Sequence, residues 1–216
     1  MADPSTAEQL LIHNYMAITA TSSGDNKPKE LVPEGNHVAR CVSMVQIGTV
    51  EENYLNEVKV ANKVRITWEL PQETRVFNPE KGEQPFVVNK EYTLSMHEKA
   101  SLRGDLQRWR GKPFTDEEAK AFDITKLLGA ACMVNVVHRR SADGLKTYER
   151  VDGITPMPKG MECPPQVNPT FELTWEDFDM DKFLTLPSFL QDKIRSSKEW
   201  AAWQPVPQTT KDDLPF

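Results

Sequence analysis

The sequence predicts a mainly β domain with α elements: five strands, with a helical insert between the third and the fourth. Three observations carry that prediction. Val64, Ile66, Trp68 and Leu70 alternate with Lys63, Arg65, Thr67 and Glu69, the period-two pattern of a half-buried strand. Leu102, Leu106 and Trp109 recur at helical spacing and stop at Gly111. The Ala142-Asp143-Gly144 turn joins two further strand-like runs as a hairpin.

The first strand begins at His37 and runs through HVARCVSMVQIGTV, with Val38, Val42 and Met44 on one face and Arg40 on that same side as an edge deviation. Lys63–Leu70 is the second strand. The turn-rich stretch Phe77–Pro85 leads to a third, Phe86–Met96, in which Phe86, Val88, Tyr92, Leu94 and Met96 share a face. In the insert, Thr115 and Glu118 fit a capping box and Asp123 can cap a short piece closed by Gly129. Ala130–Arg140 and Leu145–Ile154 are the last two strands. Three strands, a helical insert and two strands is the order of an OB-fold, a five-stranded Greek-key barrel whose helix bridges strands three and four. By strand count alone, a small α+β sandwich also fits.

Around this body, residues 1–36 read as an N-terminal extension and linker, because Thr19–Gly35 is rich in Ser, Thr, Gly and Pro. The barrel occupies residues 37–155. Residues 156–203 form a proline-rich exit, Thr155–Thr170, expected to leave the domain as extended chain, followed by a helix over Ser188 to Ser196. Residues 204–216 are an untied acidic tail.

Charge is distributed unevenly over the 216 residues. The net of -6 combines a near-neutral body, with 18 basic and 17 acidic residues over 37–152, and two acidic flanks. The mean hydropathy of -0.56 and the absence of a long apolar run predict no membrane span. No secretory signal is expected at the N-terminus, and the predicted compartment is the cytoplasm. Cys41, Cys132 and Cys163 are too few and too scattered for a disulfide framework or zinc site.

Enzyme motifs fail on spacing. Ser101 stands where a zinc-protease helix beginning at His97-Glu98 needs its second His, and Pro113 stands where a phosphate loop after Gly111-Lys112 needs Ser or Thr. No enzymatic activity, cofactor or metal is predicted. Cations interleaved with aromatics are the better signal, since unpaired nucleic acid needs cations for its phosphates and rings on which its bases stack. The candidates for phosphate contacts are Lys63, Arg65, Arg75, Arg103, Arg108, Arg110, Arg139 and Arg140; for base stacking, Tyr54, Phe77, Trp109 and Tyr148. Trp68 lies on the apolar face of its strand and reads as core, whereas Trp109 shares the Leu102/Leu106 face and reads both ways.

The last residues, Asp212-Asp213-Leu214-Pro215-Phe216, combine two carboxylates with an apolar, aromatic end. Such a segment can fill a hydrophobic pocket while its carboxylates meet Arg or Lys on the rim. An OB-like order followed by a proline-rich exit and this segment resembles the single-stranded DNA-binding proteins of bacteria and their viruses. The body is similar to a phage-borne branch of them in Tyr92–Lys99, Leu102-Arg103, Trp109-Arg110-Gly111, Phe114-Thr115, Phe122-Asp123, Leu127-Leu128-Gly129 and Val136-Val137-His138. The resemblance implies non-specific binding and protection of single-stranded DNA in phage or prophage replication, recombination or repair. It implies recruitment of replication and recombination enzymes through Asp212–Phe216. The 60-residue Pro-, Trp- and Phe-containing segment before the tip departs from the Gly/Gln-rich linkers of cellular members and favours a monomer or weak oligomer over a tetramer. Two other readings are a protein-interaction adaptor of the replication machinery and a strand-annealing protein.

Overall fold

A computed structural model describes residues 30–54 and 57–203. Most of the N-terminal extension and the whole Asp212–Phe216 segment lie outside the described residues. The elements run β1 (Gly35–Tyr54), β2 (Glu57–Asn78), β3 (Gly82–Thr93), α1 (Ser101–Arg110), α2 (Asp116–Ala121), β4 (Ala131–Arg140), β5 (Thr147–Thr155), β6 (Phe171–Leu173), α3 (Met180–Thr185), α4 (Ser188–Arg195) and α5 (Lys198–Ala202). The structure is mainly β: a curled, half-barrel sheet with the path β3-β2-β1-β4-β5, antiparallel throughout, to which β6 adds in parallel on β1. No helix among the described residues is long and apolar enough to cross a membrane.

The first strand is longer than its apolar pattern and is bent at two places. Register shifts between Cys41 and Ser43 and between Gln46 and Gly48 mark bulges, where an extra residue turns the following side chains to the other face. Arg40 and Met44 therefore do not share a side: Met44 joins the barrel core, while Arg40 points outward. β1 also changes neighbours along one edge, pairing with β4 through Gly35–Arg40 and with β6 through Ser43–Val45.

The barrel core contains Cys41, Met44, Val64, Ile66, Trp68, Leu70, Tyr92, Val134, Val136 and Ile154. Burial pushes the free Cys41 thiol up to about 12 and Cys132 higher still, so both behave as small hydrophobes. Helix α1 closes one end, packing on both β3 and β5. Its Leu102, Leu106 and Trp109 face inward, and it ends at Gly111 in the left-handed region, φ 68°. The Thr115/Glu118 capping box opens α2 as its sequence predicts.

Residues 156–170 have no regular structure, but they do not leave the barrel. Outward-facing Arg40 and Glu69 are directly paired across β1 and β2. Arg40 donates to the carbonyls of Cys163, at 2.9 Å, and Pro164, at 3.1 Å. The fully buried Glu69 carboxylate accepts from Val167 N at 2.7 Å, Asn168 N at 2.8 Å and Asn168 Nδ2 at 2.6 Å. A buried carboxylate is tolerable only when so saturated with donors. Proline content correctly excludes helix and strand here; it carries no information about the two distant side chains that strap the segment down.

Beyond the strap, α3 to α5 build a second apolar cluster on the outer face of β1: Val45, Ile47 and Val50 meet Leu173, Phe183, Leu190 and Ile194. Phe178 packs against Trp175, Phe183, Trp200 and Trp203. Glu199 of α5 binds the open edge of β1, accepting from Thr49 N at 2.6 Å and Thr49 Oγ1 at 2.8 Å. Burial opposes its ionisation, yet the Thr49 bonds hold its carboxyl below the ordinary range. Gly48 makes this close approach possible. It has φ +99°, and a Cβ there would lie 2.7 Å from both Trp175 Nε1 and Glu199 Oε2. Gly48→Ala is therefore expected to destabilise the protein by about 1–3 kcal/mol. Urea unfolding checks this, and an unchanged midpoint would contradict the close approach.

Candidate nucleic-acid interface

The predicted cations and rings divide among three places. Lys63 and Arg65 lie on the outer face of β2, as their alternation with core residues requires. Each is paired: Lys63 Nζ with Glu52 at 2.6 Å, and Arg65 Nη1 with Glu91 at 3.0 Å. Both carboxylates also accept from Lys193 of α4, at 2.8 Å and 2.6 Å. The result is one alternating row, Lys63–Glu52–Lys193–Glu91–Arg65. Phe189 of α4 sits with its ring 5.3 Å from the Arg65 guanidinium. A cleft of about 450 Å³ opens beside the row, lined by Glu52, Lys59, Val60, Ala61, Lys63 and Thr93. Lys193 was not among the residues the sequence singles out, and no sequence signal places a residue of the C-terminal extension on β2.

A second group lies at the end of the sheet marked by the start of β1. β2 runs antiparallel to β1 past Glu69, and β4 does so past Val136, so the β2–β3 and β4–β5 hairpins project toward the same end. On the first, Arg75 lies 5.9 Å over the exposed Phe77 ring, which packs edge-on against Phe86 at 5.1 Å. On the second, Arg139 stands opposite Tyr148. Both are about half exposed, Arg139 at 55% and Tyr148 at 47%. Arg139 lies 4.0 Å from Asp152, and Arg140 is exposed at the end of β4. Tyr54 ends β1, but its side chain lies outside the described residues.

The third group, on α1, is structural in two of its four members. Trp109 is only 6% exposed, contacts Trp68 at 6.1 Å and donates its indole N–H to Ala131 O at 3.0 Å, so no base can stack on it. Arg103 is buried and donates to the carbonyls of Met96 and Phe114, both at 3.1 Å, tying the start and end of the insert together. Arg108 is exposed but bonds Asp105. Asp105 also receives Tyr92 Oη at 2.7 Å and Lys90 Nζ at 2.8 Å. Burial first, and the Asp105 charge second, push the Tyr92 phenol far above its ordinary value, so it serves as a permanent donor. Arg110 stacks 4.0 Å from the Phe114 ring centroid and binds Glu118 at 3.1 Å. Helical spacing identified the α1 face but could not show which cations fold back on the insert. Among the described residues, no cluster of His, Cys, Asp and Glu could hold a metal ion.

The row on β2 has a defined pH range. Hydrogen bonds from Lys193, then from Lys63, hold the Glu52 carboxyl below its ordinary 4.5. Partial burial lowers Lys193, but its bonds to Glu52 and Glu91 outweigh that and hold it above its ordinary 10.5. A lowered carboxyl stabilises the fold above its ordinary value and stops doing so as pH falls through the lowered one. A raised amine stabilises below its ordinary value and stops as pH rises through the raised one. Attachment of α4 is thus expected to be constant from about pH 5 to about pH 10 and to loosen below about pH 4.5. Amide exchange over residues 188–195, corrected for intrinsic rates, should stay constant from about pH 5 to about pH 10 and quicken outside that range; a uniform profile would exclude the row as the attachment. No protein-family model, no curated protein and no solved structure matches this chain.

Proposed function

We propose that the chain is an OB-fold protein that binds single-stranded DNA with little sequence preference. It protects the strand in phage or prophage replication and recombination, and it recruits replication enzymes through Asp212–Phe216. The observation that carries the reading is the sheet path β3-β2-β1-β4-β5 with α1 inserted between β3 and β4 and packed on β3 and β5. That is the strand order of an OB barrel, a fold whose strand-two and strand-three face and flanking loops take oligonucleotides. Two hairpins at one end each present a cation beside an exposed ring, Arg75 with Phe77 and Arg139 with Tyr148. A phosphate track with stacking positions needs that combination. The binding is stoichiometric and non-enzymatic.

A second reading, a protein-interaction adaptor, is favoured by the pairing of Lys63 and Arg65 with Glu52 and Glu91, which leaves little free charge for phosphate on that face. Fluorescence anisotropy with an oligo-dT probe separates the two. The DNA-binding reading expects affinity to fall about 10²-fold between roughly 50 and roughly 300 mM salt if about four phosphates are neutralised. Tyr148→Ala should cost about 5- to 100-fold, and removal of residues 212–216 should leave DNA binding intact while abolishing enzyme recruitment. Absence of oligonucleotide binding at low salt would leave the adaptor.

A further inference from the structure

We infer that α4, which packs on β1, is a displaceable cover over Lys63 and Arg65, and that single-stranded DNA reaches these two cations by dislodging it. The inference rests on the DNA-binding reading above and adds the regulation of that site. Its starting point is the charge row. Lys63 and Arg65 are the two β2 cations that the strand pattern places on the outer face, and Lys193 bridges the two carboxylates that neutralise them. No other lysine or arginine in the row comes from outside the sheet.

The attachment of α4 is light. It has eight residues, begins after Pro187 with no side-chain cap, and buries only Leu190 and Ile194. Phe189 remains 56% exposed although it lies against Arg65. A helix this short is not stable by itself and depends on its packed face. Most of the apolar cluster behind it is internal to the extension: Trp175, Phe178, Phe183 and Trp200 accompany α4, and β1 contributes Val45, Ile47 and Val50. The extension can therefore shift while keeping much of its own packing. Ion pairs at a partly exposed surface are also the interactions a polyanion competes for most directly. A phosphate chain entering the cleft meets Lys59 and Lys63, which both line it. Each phosphate that takes Lys63 or Arg65 releases Glu52 or Glu91, whose charge then lies against the incoming strand. Moving α4 aside removes Phe189 from Arg65 and Lys193 from Glu52 and Glu91.

Hydrogen exchange of the full chain with and without an oligo-dT of about 20 nucleotides tests this. Ligands ordinarily slow exchange where they bind. The cover expects the reverse over residues 188–195: exchange at least tenfold faster in the complex, with slowing over residues 63–67. Lys193→Met provides a second measurement, since the variant loses a positive charge yet should bind the oligonucleotide about three- to tenfold more tightly. Far-ultraviolet circular dichroism would establish that the variant is folded. Binding with unchanged or slower exchange over residues 188–195, or weaker binding by Lys193→Met, overturns the cover and leaves the DNA-binding reading standing. No binding by either protein at low salt overturns both.

Discussion

A single strand that buries side chains on both faces constrains everything else in this structure. β1 contributes Ala39, Cys41 and Met44 to the barrel core and Val45, Ile47 and Val50 to the cluster under α3–α5. A strand with two apolar faces must be covered twice, and the chain supplies the second cover from its own C-terminal region. The bulges at Cys41/Ser43 and Gln46/Gly48 reset which residues face which core, and the second brings Gly48 beneath Trp175 and Glu199. The edge of β1 is likewise completed in pieces: β4, then β6, then the Glu199 carboxylate on Thr49.

Polar groups on the outer face fix how the second cover is held. Arg40 and Glu69 stand opposite each other across β1 and β2, yet both bond to residues 163–168, and Arg40 also donates to the Gly129 carbonyl. Replacing either would leave partly buried backbone groups of this segment without their hydrogen bonds, a larger penalty than the loss of an exposed ion pair. Farther along the same face, the Lys63–Arg65 row holds α4 by exposed and partly exposed pairs, which are individually weak and sensitive to salt. The extension is thus tied firmly at its start and lightly at α4. That gradient leaves α4 held by partly exposed ion pairs beside the cations that β2 points outward.

Much of the fold was legible because local patterns coincide with tertiary roles. Period-two alternation placed Val64, Ile66, Trp68 and Leu70 in the core, and the capping box and Gly111 marked the helix ends correctly. Legibility failed where one residue type serves two ends. Trp109 and Arg103 have the composition of a nucleic-acid contact, but their N–H groups satisfy backbone carbonyls within the insert and its neighbouring strand. Lys193 lies in an acidic flank with nothing in its neighbourhood to mark it, and acquires its place only because α4 lands on Glu52 and Glu91.

The sequence by itself determined the central parts of β1 to β5, the helices of the insert and α4, where the insert falls, and that Lys63 and Arg65 face away from the core; β6 and α3 were not legible in it. The legible parts follow from side-chain periodicity and capping chemistry, which act over a few residues. The tertiary structure alone decided that residues 156–203 return to cover the barrel, that Arg40 and Glu69 hold them, and which cations are paired. Those outcomes depend on contacts between residues about 100 or more positions apart, such as Glu69 with Asn168 and Lys193 with Glu91. No local pattern encodes such pairings, because each partner satisfies its own segment's rules equally well without the other.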